Sequence, residues 1–211
     1  MAEPSALPAT GEAHVWRIEL AGADAGALTG EERARAARIR TESGQVRWIS
    51  ARAALRTILA RHLGTGPADV PLRLGPHGKP ELALDPAPLR FNLSHSGDLA
   101  LIALSAGREV GIDVELIDPT RRFGELARVG LDSESAQAVR AADPRERPGV
   151  FYSAWTRREA AVKCLGVGLG GPQPAKPAIE VVSVDAGPGY AAALALSGTA
   201  PARLRRIDFR D

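Results

Sequence analysis

The sequence predicts an α+β fold of two similar subdomains, each a small, mostly antiparallel sheet packed with helices. Two observations predict it. Short apolar runs bounded by Gly, Pro and Ser recur in both halves, and longer segments with helical period stand beside them. With 211 residues, 45% of them hydrophobic, the chain is long enough for two small domains. We place the boundary after residue 107, which gives an N-terminal subdomain of 1–107 and a C-terminal subdomain of 108–211.

The first half begins with an alternating strand at 14–22. Thr29, followed three residues later by Glu32, has the spacing of a capping box and predicts a helix over 29–40. A longer helix is predicted over 42–64, with an apolar face, its arginines on the opposite side and Gly64 as its end. The remaining strands are expected on both sides of the turn in "VPLRLGPHGKPEL" (70–82) and at 90–95, 99–105 and 109–117.

The second half is a shorter version of the same order. Helices are predicted over 124–141 and 149–165, and strands over 178–187, 190–198 and 202–209. In "FYSAWTRREAAVKCLG" the apolar side of the helix is assigned to Phe151, Trp155, Val162 and Leu165. Glu159 and Lys163 then share the polar side, where a simple helix ion pair is the alternative to a joint role at a ligand.

Composition and the lack of targeting segments limit the covalent links, compartment and partners that we expect. Cys164 is the single cysteine, so an internal disulfide and a Cys-x-x-Cys metal site are both excluded. The first residues lack the pattern of a secretory signal, and no apolar run reaches the length of a membrane span, so we expect a cytoplasmic protein without a membrane partner. A net charge of +2 gives weak support for nucleic-acid binding.

Lysine is rare in this chain. Of 27 basic residues only Lys79, Lys163 and Lys176 are lysines, and the rest are arginines. A lysine kept against that preference suits a place that needs a compact point charge, as phosphate sites often do.

Two carboxylates lie two residues apart in "GIDVELI". On a strand, Asp113 and Glu115 project from one face, an arrangement that suits a hard divalent cation such as Mg²⁺. A solvated strand face is the alternative, because D-x-E is a common pattern.

Other short motifs lack the neighbouring elements or residues that their functions require. "GVGLGG" (166–171) follows a helix and therefore lacks the strand that a dinucleotide-binding turn requires. Ser94 beside His95 lacks the G-x-S-x-G elbow of a nucleophilic serine, and the four histidines lack zinc-site spacing.

Taken in order, "GPHGKPEL", "FNLSHSG", "GIDVE" and "WTRREAAVKCLGVGL" resemble the motifs of the 4′-phosphopantetheinyl transferases, in the monomeric two-subdomain type that activates peptide and polyketide synthetases. The resemblance implies an active site between the subdomains. It implies transfer of the phosphopantetheine arm of coenzyme A to a serine of an acyl or peptidyl carrier protein, with Mg²⁺ (or Mn²⁺) required and adenosine 3′,5′-bisphosphate released. A monomer is also implied. The sequence itself shows no basic patch with interleaved aromatic residues, so we expect no nucleic-acid partner.

The same resemblance assigns roles around the metal. Asp113, Glu115 and Glu159 would ligate Mg²⁺, and Lys163 would meet the coenzyme A phosphates. Glu159 would also be the general base, with a metal-bound water as the competing candidate.

Further residues would bind coenzyme A. The Gly78-Lys79-Pro80 turn would approach the nucleotide, and Ser94 and His95 would donate hydrogen bonds to the phosphates. Arg47 aligns loosely with the family's arginine for the 3′-phosphate. Arg52 is the alternative for that role.

The chain departs from the family at Arg158, where a lysine is usual, so the charge is kept but a planar guanidinium replaces the ammonium group. Val167 and Leu169 in the loop after the helix would suit docking of the carrier protein. Two other functions stay open on the residues alone. One is an inactive relative that binds a carrier or a nucleotide, and the other is a metal-dependent nuclease using D-x-E.

Overall fold

The computed structural model describes residues 6–22, 24–75, 78–121, 123–166 and 178–209. The strands are β1 (Glu12–Glu19), β2 (Leu72–Leu74), β3 (Pro80–Leu82), β4 (Arg90–Ser96), β5 (Leu99–Ser105), β6 (Val110–Leu116), β7 (Ile179–Ser183), β8 (Tyr190–Ser197) and β9 (Arg203–Asp208). The helices are α1 (Gly30–Ala36), α2 (Glu42–Leu63), α3 (Phe123–Gly130), α4 (Ser133–Ala141) and α5 (Arg147–Leu165). The α+β class is confirmed. Within these ranges no helix is apolar over a long enough stretch to cross a membrane.

The larger sheet has the order β4-β5-β1-β9. Strands β4, β5 and β1 pair antiparallel, whereas β9 pairs parallel to β1 and sets Ile207 beside Trp16. The last of the described strands therefore completes the sheet of the first half. The division at 107/108 stays a prediction.

Helix α2 packs on one face of this sheet. Its buried Leu55, Ile58 and Leu59 meet Trp16 and Ile102 in one apolar cluster. The helix begins at the cap of Thr41 and ends at Gly64, whose φ of 66° is the left-handed conformation that glycine adopts without strain.

The prediction that the arginines of α2 all lie on its outer side is wrong. Arg56 is 3% exposed, donates to the Glu32 carboxylate at 2.5 Å and also donates to the Val70 carbonyl at 3.1 Å. Glu32 also closes the predicted capping box with Thr29 and pairs with Arg52. A buried arginine is tolerated here because its charge and its N–H groups are matched by partners outside the helix.

The smaller sheet has the order β6-β8-β7. One face packs against the larger sheet, where Ile112 and Leu194 meet Val15 and Leu101. The other face packs against α5 through small residues, with Ala160 against Ala193. The described residues thus stack as helix, sheet, sheet and helix, and β6 runs next to β4 at the seam between the two sheets.

The single helix predicted over 124–141 is two helices. Asp132 accepts a hydrogen bond from the backbone N–H of Ser135 at 2.8 Å and so starts α4 as an N-cap. Because an N-cap residue has extended backbone, the helix is interrupted at this point.

The predicted faces of α5 also need correction. Tyr152, Thr156 and Glu159 lie on the buried side, whereas Val162 and Leu165 are only half-buried. The sheet opposite is lined by alanines, so it leaves room for polar side chains of α5 between the layers.

Candidate active site

The predicted motifs meet along the outer edge of β6. This strand is the last in its sheet, so alternate backbone groups point away from β8 and need other partners. Side chains supply them. The backbone N–H groups of residues 112, 114 and 116 donate to oxygens of Asn92, Ser94 and Ser96, and the carbonyls of residues 110 and 112 accept from Lys79 and Lys163.

Asp113 is the most buried of the three predicted metal ligands, with 4% of its surface exposed. Its Oδ1 accepts from Lys163 Nζ at 2.6 Å and from Ser94 Oγ at 3.0 Å. Its Oδ2 is buried and has no hydrogen-bond partner among the described residues. Burial raises the pKa of Asp113, and the neighbouring Lys163 offsets this only in part.

Glu159 and Lys163 do not form the helix ion pair that was the simpler interpretation of their spacing. Lys163 pairs with Asp113, and Glu159 Oε1 accepts from Arg158 at 2.6 Å. The Arg158 guanidinium also lies over the Trp155 ring at 5.8 Å. Burial raises the pKa of Glu159, Arg158 lowers it, and the charge of Asp113 raises it further.

Glu115 is half-buried at the same edge. Its Oε2 accepts from Ser96 Oγ at 2.8 Å. Within the described ranges, no three His, Cys, Asp or Glu side chains are grouped closely enough to hold a metal ion as they stand.

Lys79 joins the two halves of the fold. Its Nζ donates to the carbonyls of Val110 at 3.1 Å and of Lys163 at 3.2 Å, at the end of α5. Gly78 before it has a φ of 76°, which favours glycine, and Pro80 starts β3. A contact of this turn with coenzyme A stays a prediction.

Ser94 and His95 leave β4 on opposite faces, as successive strand residues must. Ser94 faces β6, while His95 faces α2 and lines a cavity of ≈ 170 Å³ with Gly78, Pro80 and Arg52. The pKa of His95 is lowered by partial desolvation and then by the positive charges of Lys163 and Arg47, although the side chain keeps solvent exposure.

The two arginines considered for the 3′-phosphate have different surroundings. Arg47 is partly exposed and pairs with Asp98 at 2.8 Å. Arg52 lines the cavity of His95 and pairs with Glu32. Trp48 and Arg35, which the sequence analysis did not single out, line the same cavity, and the Arg35 guanidinium lies 5.8 Å from the Trp48 ring centre.

Gly111 sets the distance between β6 and α5. An ideal Cβ on this residue would overlap the Ala160 carbonyl oxygen and the Cys164 nitrogen and would lie 3.0 Å from Cys164 Cα. The absence of a side chain therefore lets α5 approach closely enough for Lys163 to reach Asp113.

Asn92 and Ser96 are also residues that sequence reasoning missed. The signal was their position: Asn92, Ser94 and Ser96 stand at alternate positions of one strand. Alternate residues share one face of a strand, so this spacing predicts a polar face. The predicted loop residues Val167 and Leu169 lie outside the described residues.

Comparison with known proteins identifies the family. The family model of the 4′-phosphopantetheinyl transferase superfamily matches residues 109–208. The 4′-phosphopantetheinyl transferase HetI of Nostoc sp. is 34% identical over 166 residues, which cover 75% of this chain and 70% of HetI. The 4′-phosphopantetheinyl transferase AcpT of Salmonella typhimurium is 37% identical over 130 residues, 62% of this chain and 61% of AcpT.

A protein of Synechocystis sp., slr0495, is 34% identical over 145 residues, which cover 68% of this chain. The chain spans 59% of slr0495, so its similarity extends over part of that relative's length. With the HetI match and the motifs gathered at β6, the chain belongs to the 4′-phosphopantetheinyl transferase superfamily.

Proposed function

We propose that this protein transfers the 4′-phosphopantetheine arm of coenzyme A to a serine of an apo acyl or peptidyl carrier protein, releasing adenosine 3′,5′-bisphosphate. One observation carries the proposal. Lys79, Ser94, Asp113 and Lys163 come from four separated motifs, and their side chains meet at one edge of β6. The carbonyls at the edge of β6 need hydrogen-bond donors, but that need does not account for lysines in a chain that otherwise uses arginine. It also does not account for an aspartate whose buried Oδ2 has no partner among the described residues.

A divalent cation fits the donor chemistry of this edge. The buried, unpartnered Oδ2 of Asp113 is an oxygen that a hard cation would satisfy. Asp113, Glu115 and Glu159 would hold Mg²⁺, or Mn²⁺ in its place, and the ion would supply charge neutralisation for the pyrophosphate. Burial now raises the pKa of both Asp113 and Glu159. A bound cation would favour the charged form of these carboxylates and so lower both pKa values.

The nucleotide of coenzyme A is proposed to bind in the cavity between α2 and β4. Arg52 and His95 offer N–H donors there, Trp48 offers an aromatic face, and Gly78 lines the cavity without a side chain. Arg47 lies outside the residues lining this cavity, so this placement favours Arg52 for the 3′-phosphate. Lys163 would meet the pyrophosphate from the side of β6.

Glu159 is proposed as the general base. Its carboxylate lies close enough to Asp113 and Lys163 for their charges to act on it, which places it at the proposed cation and phosphate site. There it would take the proton from the carrier serine as its hydroxyl attacks the phosphorus. Arg158, which donates to Glu159, would orient it and need not touch the ligand.

A carrier-modification assay tests the function. The protein is incubated with coenzyme A, Mg²⁺ and a panel of apo fatty-acid, polyketide and peptide carrier proteins, and intact mass is measured. We expect a gain of about 340 Da on at least one carrier, the mass of a phosphopantetheine arm. Asp113→Asn keeps the size of the side chain and should abolish the gain, whereas Asp208→Asn, at an exposed strand position, should leave it unchanged.

The same assay distinguishes a transferase from an inactive relative. Such a protein would bind coenzyme A or a carrier, and the bound carrier would keep its apo mass. An apo mass on every carrier, together with binding of coenzyme A, would reject the transferase in favour of that alternative.

A further inference from the structure

A regular set of side-chain contacts joins β4 to β6. The two strands belong to different sheets, and three residues of β4 at alternate positions replace the missing strand partner. The contacts, which we call the side-chain ladder, are Ile112 N–H to Asn92 Oδ1 at 2.9 Å, Val114 N–H to Ser94 Oγ at 3.4 Å and Leu116 N–H to Ser96 Oγ at 3.1 Å. The sequence separation is 20 residues in each.

Two of the three contacts continue to a carboxylate. Ser94 Oγ donates to Asp113 Oδ1 at 3.0 Å, and Ser96 Oγ donates to Glu115 Oε2 at 2.8 Å. Each hydroxyl therefore accepts from the backbone of β6 and donates to the carboxylate of the preceding residue.

The need to accept one hydrogen bond and donate another explains why serine stands at two of the three positions and asparagine at the third. A hydroxyl oxygen accepts and donates at one atom, whereas the Oδ1 of asparagine only accepts. The serines lie beside the two residues that carry carboxylates, Asp113 and Glu115. Asn92 lies beside Gly111, which has no side chain to hold.

The two serines differ in what else they touch. Ser94 Oγ also accepts from Lys163 Nζ at 3.0 Å, so a change there disturbs several partners. Ser96 Oγ has the simpler pair of contacts, with Leu116 N–H and Glu115. Since Glu115 is only half-buried, packing alone constrains its three side-chain torsions weakly, and the Ser96 hydroxyl restricts them further.

We propose that Ser96 is a positioning residue, which acts through Glu115 and holds its carboxylate in the orientation that binds a divalent cation. This inference rests on the proposed function only in taking Glu115 as a cation ligand. Ser96 is not required to touch coenzyme A or the carrier.

The test compares cation affinity among variants of the full chain, using Mn²⁺ and electron paramagnetic resonance in the absence of coenzyme A. Ser96→Ala should weaken Mn²⁺ binding about ten-fold, the usual cost of removing a partner behind a metal ligand. Ser96→Thr keeps the hydroxyl and should bind within about three-fold of wild type. Ser105→Ala is the matched control, because the Ser105 hydroxyl is buried and none of the residues that the structure describes hydrogen-bonds to it. The Mn²⁺ affinity of this variant should be unchanged.

The pair Ser96→Thr and Ser96→Val covers the case in which the alanine variant fails to fold. Threonine and valine have the same shape, so a difference between them reports the hydroxyl alone. Equal affinities of these two variants would overturn the proposal, as would wild-type affinity of Ser96→Ala or a lack of Mn²⁺ binding by the wild-type protein. If Mn²⁺ affinity falls as expected while no carrier gains mass, the positioning role holds and the transferase function is rejected.

Discussion

Replacing Gly111 by alanine would push apart the strand that carries Asp113 and the helix that carries Glu159 and Lys163. The new Cβ would lie 3.0 Å from Cys164 Cα, where ordinary contacts are 3.4–4 Å, and it would overlap two further backbone atoms of α5. Backbone atoms cannot rotate away, so the helix has to retreat by about 1 Å or more before all three atoms are at ordinary contact distance. Overpacking of this kind costs about 1–3 kcal/mol of unfolding free energy, or about 2–12 °C in Tm for a chain of this size.

Activity should suffer more than stability. A misplacement of about 1 Å between reacting groups can lower the rate about 100-fold, and here it would lengthen the 2.6 Å contact between Lys163 and Asp113. Calorimetry gives the Tm, and the mass-based carrier assay gives the rate. Gly149→Ala is the matched control, because Gly149 is an exposed residue of the same helix with open space at its Cβ, and alanine should stabilise α5 by up to about 1 kcal/mol.

A Gly111→Ala protein that melts within 1 °C of wild type and transfers at the wild-type rate would refute this reasoning. It would mean that α5 moves freely relative to β6 and that the spacing of the two elements does not set the geometry of the site.

Three other changes have defined outcomes. His95→Ala should raise the KM for coenzyme A more than it lowers kcat, since His95 is assigned to binding, and a main loss in kcat at saturating coenzyme A would contradict that assignment. Glu32→Ala should lower the free energy of unfolding, measured in urea, by about 3–5 kcal/mol, because it leaves the buried Arg56 without its counter-charge. A decrease below about 1 kcal/mol would show that this ion pair is dispensable. Burial lowers the pKa of His14, so below about pH 6.5 the unfolded chain binds a proton that the folded state resists, and the free energy of unfolding falls as pH falls. His14→Leu should flatten the dependence of that free energy on pH between about pH 7.5 and 5.5. An unchanged dependence would assign it to other groups.

Much of the fold was predictable because its elements are marked by local signals. The capping box of Thr29, the alternation of β1 and the Gly64 end of α2 each depend on residues near in sequence. The break before α4 had a signal too, since Asp132 with Ser135 three residues on is a cap pattern that the helical period obscured.

The rest depended on partners far apart in the chain. Arg56 is buried because Glu32 and the carbonyls after α2 surround it, and no periodicity within the helix reveals such partners. Glu159 is buried next to Ala160, which packs against an alanine of β8, and the sequence of α5 alone does not reveal that packing. The motifs indicated which residues belong to the site, but only the packing of β4 against β6 shows that Ser94 and Ser96 hold carboxylates while His95 faces away from them.

The parallel pairing of β9 with β1 has a consequence for synthesis of the protein. Strand β1 is synthesised before the other described strands, but its outer neighbour consists of residues 203–208. During translation the edge next to Val15 and Trp16 therefore stays unpaired until nearly the whole sequence printed here has been made, with a sequence separation of about 190 residues to close. The nascent first half is thus exposed to mispairing at this edge, and chaperone demand should concentrate there.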